Sequence, residues 1–281
     1  MTGRRADVID YLCSRMQGLY SSEECRHIAR MAAAAWSNTD ESRFLIEPNE
    51  IIEISDLESR AEELAAGCPI QYILGEAEFC GETFAVRSGV LIPRPETEEL
   101  VMWAIEKSYG LLSPRILDVC TGSGCIAIAL AKAFPSAMVF AFDISAEAMA
   151  VAQKNAECNH ANVSFLIADI LREENPAGES YDIIVSNPPC VRDMEKTMMN
   201  RNVLDYEPHL ALFVPDDDPL IFYRHIAEFA TKHLKTGGKL YLEINEALGN
   251  ETAALLEKQG YRCIVHKDSF GKDRMIEAVK S

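Results

Sequence analysis

The sequence predicts an α/β protein whose main part is a doubly wound, mostly parallel sheet of seven strands. From residue 115 onward, apolar runs of five or six residues alternate with helical patterns, which is typical of parallel strands joined by crossover helices. The last two runs, Tyr261–Val265 and Arg274–Val279, have no helix between them and predict an antiparallel hairpin. A glycine-rich loop follows the first strand, where such sheets bind ligands.

The other elements of this region follow from the same patterns. The remaining strands are predicted at Arg115–Val119, Met138–Phe142, Val163–Ile167, Tyr181–Val185 and Lys239–Ile244. Helices are predicted at Gly124–Phe134, Ala146–Cys158 and about 219–234 and 250–259. A long loop is expected after the fourth strand, and Pro95 suits the first turn of a helix that precedes the sheet.

The N-terminal region reads as helical between residues 4 and 66. A helix starts at a capping box formed by Ser21 and Glu24, and a third helical run covers about 47–66. Alternating apolar residues in Gln71–Phe79 and Phe84–Val86 predict a small β-hairpin. We therefore expect a helical domain at 1–68, a β-hairpin linker at 69–92 and a main domain at 93–281.

Composition limits the classes of function. The chain has 281 residues and a formal net charge of −17, which disfavours direct binding to a phosphate backbone. Nine cysteines without a Cys-x-x-Cys pair indicate reduced thiols and no metal site. No stretch resembles a signal peptide or membrane span, so we expect a cytoplasmic protein that does not bind membranes.

The loop after the first strand predicts a nucleotide-like ligand. Gly122 and Gly124 let a ligand approach the backbone, and Asp143 ends the next strand, where a carboxylate can bind ribose hydroxyls. The pattern Gly122-x-Gly124-x-x-Ala127 fits a dinucleotide, but S-adenosylmethionine has the same needs and requires no pyrophosphate site. After the third strand, Asp169 can accept a hydrogen bond from the adenine amino group, and Ile170 can lie against the face of the purine.

The end of the fourth strand favours S-adenosylmethionine. Asn187 is followed by Pro188 and Pro189, which stiffen the loop and leave its carbonyl oxygens free. The Asn187 oxygen and a carbonyl near Pro188 can accept both N–H groups of a planar amide, localise its lone pair and aim the nitrogen at a methyl group. Glu207, after the loop, would orient either the loop or the incoming amide, or else be exposed.

Together these motifs resemble the release factor glutamine methyltransferases. The segments that carry the resemblance are Gln71–Gly75, Leu91–Glu98, Leu117–Cys125, Phe142–Ser145, Ser186–Pro189 and Tyr206–Pro208. The resemblance implies a helical domain, a β-hairpin and a Rossmann-like methyltransferase domain. It also implies S-adenosylmethionine-dependent N5-methylation of the glutamine in the Gly-Gly-Gln loop of peptide chain release factors.

Carried over by position, the resemblance assigns roles to named residues. The cofactor loop falls on Cys120, Thr121, Gly122, Ser123 and Gly124, the ribose acid on Asp143, and the adenine side on Ile170. The substrate amide falls on Asn187, Pro188, Pro189 and Cys190. Two positions depart from the family, which usually has Gly at Cys120 and an aromatic residue at Cys190.

Three alternatives remain open at this point. An adenine-N6 DNA methyltransferase uses the same Asn-Pro-Pro chemistry but must hold DNA and extrude a base. A non-catalytic S-adenosylmethionine-binding protein would account for Cys120 and Cys190. A nicotinamide dehydrogenase rests on the glycine pattern alone.

Overall fold

The structure is a computed structural model that describes residues 2–172, 177–178 and 180–280. Its internal contacts divide the chain into two units, Met1–Glu76 with Asn200–Tyr206, and Ala77–Met199 with Glu207–Ser281. The domain boundaries expected near residues 68 and 92 stay predictions. Within the described ranges, no helix combines the length and the apolar character that crossing a membrane requires.

The smaller unit is mainly helical. In chain order it contains β1 (Thr2–Arg4), α1 (Arg5–Arg15), α2 (Ser22–Ser37), α3 (Ser42–Ile46), β2 (Ile51–Glu53), α4 (Leu57–Ala65) and α5 (Ile70–Leu74). The Ser21 hydroxyl accepts a hydrogen bond from the backbone N–H of Glu24 at 3.2 Å, which confirms Ser21 as the cap of α2. Leu12, Met16 and Ala32 are fully buried in the core of this unit.

The helical run predicted over about 47–66 is wrong in its first half. Residues of β2 pair antiparallel with β1, and α4 begins only after Asp56, whose φ is 54°. The β-branched side chains of Ile51 and Ile52 suit an extended strand. Their partner lies about fifty residues away in the sequence, so local periodicity could not reveal it.

The predicted β-hairpin is present but shorter than expected. It consists of β3 (Glu76–Phe79) and β4 (Glu82–Ala85), which form a two-stranded sheet. The strand predicted to start at Gln71 is wrong, because that residue lies in α5. Helix α5 begins after Pro69 and ends at Gly75, whose φ of 79° is the left-handed conformation that ends helices.

The larger unit continues with alternating helices and strands. Its elements are α6 (Pro95–Ser108), β5 (Arg115–Val119), α7 (Cys125–Ala133), β6 (Met138–Asp143), α8 (Ala146–Cys158), β7 (Val163–Ile167) and β8 (Tyr181–Ser186). The segment predicted as a long loop contains β9 (Val191–Arg192), a 3₁₀ helix (Asp193–Met198), α9 (Arg201–Tyr206, in the smaller unit), α10 (His209–Leu212) and β10 (Phe213–Val214). These elements are too short to show a period in the sequence. Then come α11 (Ile221–His233), β11 (Leu234–Glu243), α12 (Gly249–Lys258), β12 (Tyr261–Lys267) and β13 (Asp273–Lys280).

Seven strands form one sheet in the order β12-β13-β11-β8-β5-β6-β7. Strands β11, β8, β5, β6 and β7 are parallel, whereas β13 is antiparallel to both of its neighbours. This confirms the predicted seven-stranded fold and its final antiparallel hairpin. The strand order changes direction between β5 and β8, which opens a crevice at their carboxyl ends.

The sheet has a core on each face, because successive residues of a strand point to opposite sides. Ile116 and Val185 pack into one core with helices α6 and α7, and Leu117 and Ile184 pack into the other with α11. All four side chains are at most 1% exposed. The central strands β5 and β8 are therefore covered on both faces, and only their ends reach a ligand.

Candidate active site

A cavity lies at the carboxyl ends of strands β5, β6, β7 and β8. The loops that follow these four strands supply much of its lining, together with residues 89–94, and a concave site of this kind suits a small-molecule ligand. Most of its wall is apolar, with Val90, Ile126 and Phe222 among the lining side chains. Its polar groups come from the ends of the strands, as expected for a site in an open α/β sheet.

The two glycines of the loop after β5 have different roles. Gly122 lines the cavity with φ of 55°, and a Cβ placed on it would meet no protein atom within 4 Å. A Cβ on Gly124 would come within 3.0 Å of the Cβ of Ala152 in α8. Gly122 therefore leaves room for a ligand, whereas Gly124 lets two helices approach and does not line the cavity.

Asp118, in β5, forms hydrogen bonds with residues of the glycine loop and of the helix that follows it. Its Oδ2 accepts hydrogen bonds from the Thr121 hydroxyl at 2.5 Å and from the Ala127 N–H at 3.2 Å, while Oδ1 has no partner among the described residues. The side chain is fully buried, and this burial raises the pKa of Asp118 to about 7. The sequence pattern indicates only that Asp118 lies in a strand.

Asp143 joins the end of β6 to the same loop. Its Oδ2 accepts a hydrogen bond from the Gly122 N–H at 2.9 Å, and its Oδ1 accepts one from the Ser145 N–H at 2.9 Å. Burial raises the pKa of Asp143, although these hydrogen bonds oppose that effect. Each carboxylate oxygen retains a lone pair for a hydroxyl donor, so a ribose fits the chemistry of this position.

Asp169 and Ile170 lie together at the end of β7. Asp169 accepts a hydrogen bond from the Leu171 N–H at 3.0 Å and forms an ion pair with Arg172 at 3.3 Å. Ile170 is 3% exposed and, like Asp169, lines the cavity. An apolar side chain beside a carboxylate suits a purine ring with an amino group.

Asn187 lies directly after β8 and lines the cavity. Its Nδ2 donates a hydrogen bond to the Thr97 hydroxyl at 3.0 Å, and that hydroxyl donates to Oε2 of Glu243 at 2.6 Å. The Oδ1 of Asn187 is thereby left to accept from a ligand. Pro188 and Pro189 are buried, and Pro189 contributes to the cavity wall.

Cys190 and Glu207 lie outside the cavity wall. The Cys190 thiol packs beside Tyr223, and its burial raises the pKa of Cys190 to about 12. Glu207 is 5% exposed, which excludes the possibility that it is merely solvated, and its carboxylate binds Arg94 and the backbone N–H of Ile92. Contact of either residue with a substrate stays a prediction.

Comparison with known proteins identifies the family. Residues 97–207 match the family described as methyltransferase small domain. A release factor glutamine methyltransferase of Bacteroides thetaiotaomicron is 47% identical and aligns with 95% of this chain and 97% of its own. The enzyme of the same name from Flavobacterium psychrophilum is 51% identical over 80% of each chain.

The chain belongs to the release factor glutamine methyltransferases. The predictions of a glutamine methyltransferase and of S-adenosylmethionine as cofactor are thereby confirmed. A T. thermophilus 16S rRNA N2 G1207 methyltransferase, solved with AdoMet and guanosine, has a TM-score of 0.54 and 22% identity, covering 73% of this chain and 50% of its own. At that identity it supports the fold alone.

In this glutamine methyltransferase, most of the predicted cofactor residues line one cavity. Those that line it are Cys120, Thr121, Gly122, Ser123, Asp143, Asp169, Ile170 and Asn187. The open space above Gly122 and the unused lone pairs of Asp143 fit S-adenosylmethionine. The sequence patterns assigned no site role to Thr97 or Glu243, although a carboxylate at the end of an apolar strand was a usable signal for Glu243.

Proposed function

We propose that this enzyme transfers the methyl group of S-adenosylmethionine to the side-chain amide nitrogen of the glutamine in the Gly-Gly-Gln loop of peptide chain release factors. The observation that carries the proposal is the orientation of Asn187. Its amino group donates to Thr97, so its oxygen can accept a hydrogen bond from a ligand in the cavity. Asn187 lines the same cavity as Gly122 and Asp143, the residues that suit the cofactor.

An amide nitrogen is a poor nucleophile because its lone pair is delocalised into the carbonyl group. A primary amide has two N–H groups, and the Asn187 oxygen would accept one of them. The carbonyl oxygen of Pro188 would accept the other, because neither Pro188 nor Pro189 supplies an N–H that competes for it. With both hydrogens held in the plane, the lone pair becomes more available for attack.

When bound, S-adenosylmethionine supplies an electrophilic methyl group on a sulfonium. The protein contributes orientation, because the loop from Asn187 is fixed at several points. The Ser186 hydroxyl donates to the carbonyl of Val119 at 2.6 Å, which ties β8 to β5. Asn245 donates to the carbonyl of Cys190 at 2.9 Å. A rigid acceptor pair lowers the entropic cost of aligning the reacting nitrogen.

The experiment is methyl transfer from labelled cofactor to a release factor with its Gly-Gly-Gln loop intact. The matched controls carry Ala or Asn in place of the loop glutamine, since Asn keeps the amide but shortens the side chain by one methylene. Label should enter the Gln protein alone, and mass spectrometry should place it on that residue. Equal labelling of the Gln and Ala proteins, or no labelling of either, would contradict the proposal.

A further inference from the structure

Two hydrogen bonds join Asn187 to a buried carboxylate that lies behind the cavity wall. Asn187 Nδ2 donates to the Thr97 hydroxyl at 3.0 Å, and Thr97 donates to Glu243 at 2.6 Å. Thr97 and Glu243 are 2% and 8% exposed. Neighbouring strands set this arrangement: Ser186 of β8 is paired with Leu242 of β11, and Asn187 and Glu243 are the next residues of each.

The direction of this chain follows from the number of hydrogens available. A threonine hydroxyl has one hydrogen, and an ionised carboxylate can only accept. While Glu243 is ionised, the Thr97 hydrogen is therefore used on Glu243, and Thr97 can offer only a lone pair to Asn187. Asn187 must then turn its amino group toward Thr97 and its oxygen away. The opposite orientation would place two oxygens together with no hydrogen between them.

We propose that Thr97 and Glu243 are positioning residues that fix the orientation of the Asn187 amide, so that its oxygen, and not its amino group, meets the substrate glutamine. The inference rests on the proposed function. A reversed Asn187 would present N–H donors to an amide that itself presents N–H donors, and no hydrogen bond could form between them. Orientation of one amide thus decides whether the site can activate a nitrogen.

The protonation state of Glu243 should make the orientation of Asn187 depend on pH. Burial raises the pKa of Glu243 to about 7, against the opposing effect of its hydrogen bond from Thr97. The other titratable groups that face it are Arg94, Glu96, Cys190, Tyr223 and Arg274. A protonated Glu243 can itself donate to Thr97, which frees the Thr97 hydrogen and removes the constraint on Asn187. The orientation should therefore be lost as the pH falls below about 7.

The first test compares variants of Thr97. Thr97→Val keeps the shape but has no hydroxyl, and we expect its kcat to fall 10- to 100-fold while cofactor affinity stays within threefold. Thr97→Ser restores the hydroxyl and should recover most of the loss. Thr252→Val is the matched control, because Thr252 is fully buried and its hydroxyl donates its hydrogen to the carbonyl of Leu248, the residue that precedes α12. Equal kcat values for Thr97→Val and Thr252→Val would overturn the inference.

The second test does not depend on activity. The side-chain amide signals of Asn187 can be followed by ¹⁵N NMR between pH 5.5 and 8.5, with the Asn187→Asp spectrum used to assign them. They should shift with a midpoint near 7 in the wild type and in Thr252→Val, and stay flat in Glu243→Gln and Thr97→Val. A flat wild-type signal, or an unchanged shift in Thr97→Val, would overturn the inference. Failure of the wild type to methylate a release factor would instead overturn only the proposed function.

Discussion

The carboxylate of Glu207 binds the guanidinium of Arg94 and accepts a hydrogen bond from the backbone N–H of Ile92 at 3.2 Å. Glu207 is separated from both of these partners by more than one hundred residues in the sequence. Glu207 precedes α10, and Arg94 precedes α6, which carries Thr97. One buried carboxylate thereby joins two segments that line the cavity.

Replacing Arg94 and replacing Glu207 should lower the free energy of unfolding by different amounts. The Glu207 side chain is 1% exposed and that of Arg94 is 32% exposed. Arg94→Ala leaves a buried carboxylate without its cation and should lower the free energy of unfolding by about 3 kcal/mol, whereas Glu207→Ala leaves a guanidinium that can reach water and should cost about 2 kcal/mol. Urea unfolding measures both values.

The control for these variants is Lys235→Ala, which removes an ion pair with Asp182 in which the Lys235 side chain is 44% exposed. Such pairs contribute less than about 1 kcal/mol. If Glu207→Ala and Arg94→Ala were as stable as Lys235→Ala, the Glu207 contact would not hold the two segments together.

Replacement of Asn187 should separate chemistry from cofactor binding. Asn187→Ala removes the oxygen that would accept from the substrate amide, and methyl transfer should fall by about 10²- to 10³-fold. Cofactor affinity should fall less than tenfold, because Asp143 and the glycine loop are unchanged. Single-turnover kinetics and calorimetry give the two quantities. Undiminished methyl transfer with an intact fold would show that Asn187 does not activate the nitrogen.

The sequence was sufficient to predict the strands of the main sheet and the loop residues at their ends. Apolar runs such as Tyr181–Val185 are read locally, and parallel strands bring their carboxyl ends to the same edge of a sheet. Asp143 and Asn187 could be placed near each other on this basis alone. The order of the strands then fixed which loops face the same cavity.

What the sequence could not predict depends on contacts between distant residues. The strand at Ile51–Glu53 is formed because Thr2–Arg4 pairs with it, and nothing in its own periodicity indicates that partner. Glu207 became a buried ion-pair residue through Arg94, and Thr97 became part of the site through Asn187 and Glu243. A polar residue at the start of a helix is usually solvated, so Thr97 gave no signal of its own.

Cys120 allows a test of backbone strain. It adopts φ of 61°, a conformation that costs a residue with a side chain about 1 kcal/mol. Cys120→Ala keeps this strain and loses the contacts of the sulfur, whereas Cys120→Gly relieves the strain. We expect the Gly variant to exceed the Ala variant in free energy of unfolding by about 1 kcal/mol. Equal stabilities would mean that the loop relaxes around a side chain at no cost.

Asp118 should make stability depend on pH in an unusual direction. Its pKa is raised from 3.8 to about 7 by burial, so the folded protein retains a proton that the unfolded chain releases as the pH rises from about 4 to about 7. This contribution to stability is complete at low pH and is lost as the pH rises through about 7. It amounts to roughly 3 kcal/mol between pH 4.5 and pH 8.

Asp118→Asn removes this titration while keeping a side-chain oxygen for Thr121 or Ala127. Whatever the variant costs at pH 4.5, its stability relative to the wild type should therefore improve by roughly 3 kcal/mol at pH 8. Urea unfolding of both proteins at several pH values measures the difference directly. Glu243 titrates in the same range, with a pKa of about 7, but it is present in both proteins and its effect cancels. A difference that stays constant from pH 4.5 to pH 8 would mean that Asp118 is ionised in the folded protein throughout, held by the hydrogen bonds of the glycine loop.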